Sequence, residues 1–303
     1  MDVVGVGRAV MDYCLLVEKY PEVDQKTVAL DRFYGSGSPV PNALCQLAHW
    51  GLSSHLIAAI GGDMDGEQFR TDVRGYGVET AGLIVREQEM TPRAFLWVEK
   101  KSGRRTIVLD RDIAPLSPDE LPSGIFESSH FLLIDGVEAD AAIEAARLTH
   151  AAGGQVMLDA GNVRDRMEEQ LEHTDWLIVP IAFIRAWFGS VDLFQAAQDL
   201  CDLGPRAVVI TNGAAGCVAA WDGQVQWFPA YRVDSVDSTG AGDMFHAGFL
   251  YGLSKKWTIP ACVKWASATG ALATTALGGR GCMPDVNEVY SLLQSAGESL
   301  EEE

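Results

Sequence analysis

The segment Val236-Asp237-Ser238-Thr239-Gly240-Ala241-Gly242-Asp243-Met244-Phe245-His246-Ala247-Gly248 carries the clearest chemistry in the sequence. Two glycines flank an alanine just before an acid, and a helical pattern follows to about Gly252. Small residues let backbone N–H groups approach an anion closely, and a helix start adds unpaired amides and the positive end of its dipole. The expected product is an anion hole formed by Gly240, Ala241 and Gly242. Asp243, expected in the first helical turn, could take a proton from a hydroxyl while those amides hold a phosphoryl group. Phosphoryl transfer depends mainly on positioning and charge stabilisation, so a base beside an anion hole is a sufficient catalytic core. A lone Asp after Gly would more simply cap a helix. His246 needs no acid–base role in such a reaction and is expected to pack or hydrogen-bond against neighbouring helices.

Two other nucleotide-binding patterns are excluded. Gly5-x-Gly7 has Val10 at the third glycine position of a dinucleotide fingerprint, and no helical pattern follows it. The Walker-type string G-x-x-x-x-G-K-[ST] does not occur.

Asp237 to Asp243 resembles the signature D-[ST]-x-G-A-G-D of the ribokinase-like (PfkB) carbohydrate kinases, matching every fixed position. Further strings extend the resemblance over nearly the whole chain. Gly61-Gly62-Asp63-x-x-Gly66 is similar to the family's G-x-D-x-x-G turn, and Gly35 to Ala43 to its glycine-rich sugar-binding loop, with Gly37 and Asn42 as the matching residues. Asp12 resembles the early acid that hydrogen-bonds sugar hydroxyls. Thr211-Asn212-Gly213-x-x-Gly216 resembles the nucleotide loop [TS]-x-G-x-x-G, and Gly278-Gly279-Arg280-Gly281 a loop on the adenine side.

The resemblance implies an α/β fold: a ribokinase-like three-layer sandwich with a mostly parallel central sheet and a small β-lid. It also implies ATP-dependent phosphorylation of a sugar hydroxyl, with Asp243 as base, Gly240, Ala241 and Gly242 as anion hole, and Asp12, Gly37, Asn42 and Arg105 on the substrate. Thr211, Gly213, Gly216 and Gly279 would bind ATP with its Mg²⁺, and Asp237 and Thr239 would order a monovalent cation such as K⁺. A homodimer through the lid is implied too. The loop Gly35 to Ala43 and the strand Thr106 to Leu109 look closest to ketohexokinase-like members. A nucleoside acceptor, or a sugar-binding relative without turnover, are the alternatives.

Two strings depart from the family pattern. The positions of its N-x-x-E motif hold Pro180 and Phe183, neither able to ligate a metal, and the Gly-Gly of the sugar loop reads Gly37-Ser38, stiffened by Pro39 and Pro41.

The elements that must position these residues are legible in outline. Apolar runs at Phe131 to Ile134, Val156 to Asp159, Leu177 to Val179 and Ala207 to Thr211 alternate with helical patterns such as Ala139 to Ala151. This predicts βαβ units and a parallel sheet with both faces covered. Ala94 to Val98 and Thr106 to Leu109 surround the turn signal Lys101-Ser102-Gly103. With no repeat and no low-complexity linker, residues 1–303 are expected to form one domain, carrying lid segments at about 12–35 and 91–110. Arg93, Arg104 and Arg105 lie in the lid region, where an Arg could meet phosphates or an anionic substrate group; the alternative is a solvated strand edge. Trp176 and Trp187 are spaced for core packing.

A net charge of −19 argues against nucleic acid as a partner. Six cysteines without a C-x-x-C pair argue against a zinc site or a disulfide framework. Apolar runs fall short of the roughly 20 residues of a membrane span, and the N-terminus reads as a first strand rather than a signal peptide. A cytoplasmic enzyme is expected, with Glu301 to Glu303 as a frayed tail.

Overall fold

The structure, a computed structural model, describes residues 1–189 and 192–300. The tail Glu301 to Glu303 lies outside the described residues. The chain runs β1 (Val3–Val6), β2 (Val10–Val17), β3 (Asp31–Gly37), α1 (Pro39–His49), β4 (Ser54–Gly61), α2 (Met64–Gly75), β5 (Glu79–Arg86), β6 (Arg93–Glu99) and β7 (Arg105–Asp110). It continues through β8 (Phe131–Ile134), α3 (Ala139–Ala151), β9 (Gln155–Asp159), α4 (Met167–Glu172), β10 (Trp176–Pro180), α5 (Ile181–Phe188), α6 (Leu193–Cys201) and β11 (Ala207–Thr211). Last come β12 (Cys217–Trp221), β13 (Gln224–Phe228), α7 (Ala241–Ser254), α8 (Ile259–Ala273) and α9 (Val286–Ser295).

The strands form two sheets. The larger is ordered β13-β12-β11-β10-β9-β8-β1-β4-β5. Its strands from β11 to β5 run parallel, and β12 and β13 add an antiparallel edge. Alternate residues of each central strand feed opposite cores, as the two-residue period of a strand requires. Leu133, Ile178 and Val209 point toward the cluster with α1, α7, α8 and α9. Leu132, Leu177 and Val208 point toward the cluster with α3, α4, α5 and α6. Both faces are therefore apolar and covered, which is why these strands read as continuous hydrophobic runs. Trp176 and Trp187 pack against these two cores, and neither lines the reaction site.

The smaller sheet is ordered β3-β2-β6-β7, with β2 and β6 parallel and the outer pairs antiparallel. Its strands come from the two segments read as a lid. Only Gly7, Arg8 and Ala9 separate β1 from β2, so the chain passes from the large sheet straight into the small one. This leaves no helix after Gly5-x-Gly7, consistent with the rejected dinucleotide motif. The turn Gly61-Gly62-Asp63-x-x-Gly66 ties the sheets together. Asp63 caps α2 by accepting from the Gly66 amide at 2.9 Å, and it also accepts from Thr91 Oγ1 at 2.6 Å just before β6.

Among the described residues, no helix is long and apolar enough to cross a membrane.

Candidate functional site

The site lies where the carboxyl ends of the large sheet's strands meet the inner end of the small sheet, the usual place for ligands in open α/β sheets. Gly240 has φ 77° and opens α7, and a Cβ there would stand 2.1 Å from the carbonyl oxygen of Gly279. Only glycine fits. In the first turn that follows, the Ala241 amide makes a long 3.4 Å bond to the Ser238 carbonyl, while the Gly242 amide has no carbonyl one turn earlier to bond and stays available to an anion. The loop before them is braced by Asp237, fully buried, whose Oδ1 accepts from the amide and hydroxyl of Thr239 at 2.9 and 2.8 Å. Its Oδ2 accepts from the Gly278 amide at 2.9 Å.

Asp243 sits in the first turn of α7, as its motif predicts. Its Oδ2 accepts from Asn42 Nδ2 at 2.6 Å, in the first turn of α1. The buried Arg280 donates to Asn42 Oδ1 at 3.2 Å, to Asp72 Oδ2 at 2.6 Å and to the Ser36 hydroxyl. That guanidinium also lies over the Tyr76 ring at 4.8 Å. Sequence reasoning missed Arg280 and Asp72. The only hint was an arginine among glycines in Gly278-Gly279-Arg280-Gly281.

Asp12, on β2, lies opposite Gly35 and is buried. Burial, and then the charge of Asp243, push its pKa up to about 7 against the pull of Arg280 and Arg105. Gly37 is required beside it, because a Cβ there would fall 2.1 Å from Asp12 Oδ2. Ser38, at the position of the family's second glycine, has φ 89°.

Of the three lid arginines, Arg105 reaches the site, donating from Nη1 to the Ser238 hydroxyl at 2.8 Å. Arg93 instead pairs with Asp65 and Asp63 at the start of α2, and Arg104 stays exposed on its turn.

At the end of β9, Asp159 faces His246 Nδ1 at 3.2 Å, and the same nitrogen lies 2.6 Å from the Gly242 carbonyl oxygen. Burial raises the Asp159 pKa to about 7; His246 opposes the rise, and the charges of Asp243 and Asp135 add to it. His246 is buried, but its polar partners lie on its own helix and on β9 and β10 rather than on neighbouring helices, and the acidic one was not foreseen.

The pattern of pfkB family carbohydrate kinases matches residues 1–286, almost the whole chain. The chain belongs to this family. It is similar to a nucleoside kinase of Methanothermobacter thermautotrophicus (23% identical, covering 95% of this chain and 94% of the other). It is also similar to a 5-dehydro-2-deoxygluconokinase of Shouchella clausii (25% identical, covering 97% and 95%). Among solved structures, the ribokinase of Arabidopsis thaliana complexed with ribose and ATP superposes with a TM-score of 0.82, at 22% identity and 97% and 98% coverage. The fold is therefore ribokinase-like, and the family chemistry is that of an ATP-dependent kinase.

Within the pfkB frame, Thr211 ends β11 and Gly213 and Gly216 bound the turn to β12. Gly279 lies elsewhere, against Gly240 and Asn42. The structure thus sets Gly279 beside the start of α7 and away from the turn between Gly213 and Gly216. Buried Phe183 stacks on Trp187 with ring centroids 5.5 Å apart, so this side chain is core packing.

Among the described residues, no three His, Cys, Asp or Glu side chains gather as a metal site. Mg²⁺ typically needs only one or two carboxylates besides nucleotide phosphates and water, and Asp243, with Asp12 and Asp159 whose pKa values feel its charge, supplies acids at this place. Asp237 accepts three hydrogen bonds within its own loop, two of them from Thr239.

Proposed function

We propose that the chain transfers the γ-phosphoryl group of MgATP to a hydroxyl of a small sugar, a ketohexose or a related compound. The bond between Asn42 and Asp243 carries this reading, because it fixes the carboxylate at the mouth of the anion hole. Asp12, Gly37, Asn42 and Arg105 hold the acceptor. Asp243 takes the hydroxyl proton as that oxygen attacks phosphorus, and the amides of Gly240, Ala241 and Gly242 hold the phosphoryl oxygens. The nucleotide extends past Gly279 toward Thr211, Gly213 and Gly216. Closure of the small sheet excludes water and limits ATP hydrolysis.

A sugar suits this pocket better than a nucleoside. Tyr13, Tyr34 and Phe95 form one aromatic group on the small sheet. Strand alternation puts that group on the face opposite Asp12, where no base held in the site can stack on it. This outer face is apolar and exposed, including Tyr34 and Val108, and we assign it to a second copy of the chain in a homodimer. Six cysteines that form no disulfide suit a cytoplasmic setting.

The test is acceptor-dependent ADP formation from MgATP across ketohexoses, aldopentoses, acidic sugars and nucleosides, with Asp243→Asn in parallel. Turnover on a sugar that vanishes in the variant supports the reading. Turnover that survives the substitution refutes the assigned base.

A further inference from the structure

Arg8, Arg111 and Arg164 have no place in the reaction described above. Arg8 follows β1, Arg111 follows β7, and Arg164 lies in the loop after β9. Because β1, β8 and β9 are consecutive in the large sheet, their carboxyl ends share one edge of the site. The Arg8 amide bonds Asp135 Oδ2 at 2.8 Å, just beyond β8, and its Nε donates to the buried Glu138 at 2.6 Å. The Nε of Arg164 is buried and has no hydrogen-bond partner.

Burial disfavours the charge of Arg164; Asp135 and, to a smaller extent, Asp159 support it, while Arg111 and Arg8 oppose it from nearby. The neighbouring acids are already engaged. Asp135 accepts from the amides of Arg8 and Val137 at 2.8 and 3.0 Å, Glu138 holds Arg8 and the Leu116 amide, and Asp159 faces His246. Neither Arg111 nor Arg164 makes a side-chain hydrogen bond or ion pair in the described structure. In a chain with 42 acidic residues and 23 basic ones, a carboxylate partner would be easy to supply. Holding a half-buried guanidinium with an unpartnered Nε beside two other arginines costs free energy that a bound anion would offset.

The position indicates which anion. His246 Nε2 lies 3.4 Å from the Ile178 carbonyl of β10, so the start of α7 and its Asp243 stand over β9 and β10. Arg164 and Arg8 follow β9 and β1, one or two strand spacings away along the sheet, which is roughly 5–10 Å and the length of a small sugar. The nucleotide loop at β11 lies on the other side of Asp243.

Resting on the kinase reading above, we propose that Arg164, with Arg8 and Arg111, binds an anionic group at the non-reacting end of the acceptor, so that the substrate is an acidic sugar bearing a carboxylate, sulfonate or phosphate. The planar guanidinium forks match the paired oxygens of such groups.

The test compares acceptors that differ in charge: ribose with ribose 5-phosphate, fructose with fructose 6-phosphate, and glucose with gluconate. The expected result is a higher kcat/KM for a charged member. That preference should fall by about 10- to 100-fold in Arg164→Gln, the effect of losing hydrogen bonds to a charged group. Arg111→Gln, an exposed position that carries little risk to folding, should weaken it in the same direction. A wild-type preference for the neutral members, or a charged preference untouched by both variants, overturns the proposal. A rise in KM for MgATP alone also overturns it, by assigning the cluster to the nucleotide. Thermal stabilisation of Asp243→Asn by the charged sugars separates the two readings. Stabilisation that disappears when Arg164→Gln is added supports the subsite even if no acceptor is turned over, in which case the kinase reading alone fails. Absence of both turnover and stabilisation removes both.

Discussion

Asn42 and Asp243, 201 positions apart in sequence, are joined by a 2.6 Å hydrogen bond between the first turns of α1 and α7. Arg280 donates to the other end of the Asn42 amide, which fixes Nδ2 as the atom facing Asp243. The start of α1 and the start of α7 are therefore tied together at Asp243. Asp243→Asn is expected to lower acceptor-dependent ADP formation by about 10²- to 10⁴-fold, with the far-ultraviolet circular dichroism unchanged. Asn42→Ala should lower kcat in the same assay by a smaller factor, because it loosens the base without removing it.

Asp12 gives a pH signature. Its folded pKa of about 7 lies above the ordinary 3.8, so between those values the fold retains a proton that the unfolded chain releases. The stability tied to this proton is fully present below about pH 4 and is lost as pH rises through about 7, in total on the order of 4 kcal/mol. Asp12→Asn removes the dependence. The gap in melting temperature between variant and wild type should widen from about pH 4 to pH 7 and level off above. A gap independent of pH would show that Asp12 ionises at its ordinary value. Asp159 titrates in the same window, but it contributes equally to both proteins and cancels in the difference.

Ser38 holds φ 89° at the position where the family's sugar loop has glycine. With ψ 150° this backbone is in a region used almost only by glycine, where a side chain costs roughly 1–3 kcal/mol, and glycine regains part of it after its own entropy penalty. Ser38→Gly should raise the urea midpoint without changing the slope of the transition. A lower midpoint would mean that the serine side chain stabilises the loop by more than its backbone costs.

Gly240→Ala should act in the opposite direction. The new methyl group would meet the Gly279 carbonyl, so the floor and rim of the anion hole must separate. The expected result is a loss of about 10²-fold or more in kcat, comparable to removal of an oxyanion donor, together with a lower melting temperature. Near-normal turnover would show that Gly240 plays no part in holding the phosphoryl group.

Val108→Glu places a charge on the exposed apolar face of the small sheet, where Val108 is 49% exposed. If two copies meet there, light scattering should show a dimer for the wild type and a monomer for the variant. A monomeric wild type would leave that face to another role.

The sequence by itself determined the family, the sheet architecture and the placing of small residues and Asp243 at the start of a helix. Each of these is written locally: an anion hole needs consecutive small residues at a helix start, and a strand buried on both faces needs an unbroken apolar run. Asp243, Asp12 and Asn42 were legible for the same reason, since each sits in a short string with its own pattern. Only the tertiary structure decided how charges are paired. Arg280 meets Asp72 across 208 positions, Arg93 is taken by Asp65 rather than by a substrate, and Asp159 faces His246. The order of strands likewise brings Arg8 and Arg164 to one edge. Such pairings depend on which strand ends become neighbours when the sheet assembles, and no local spacing records that order.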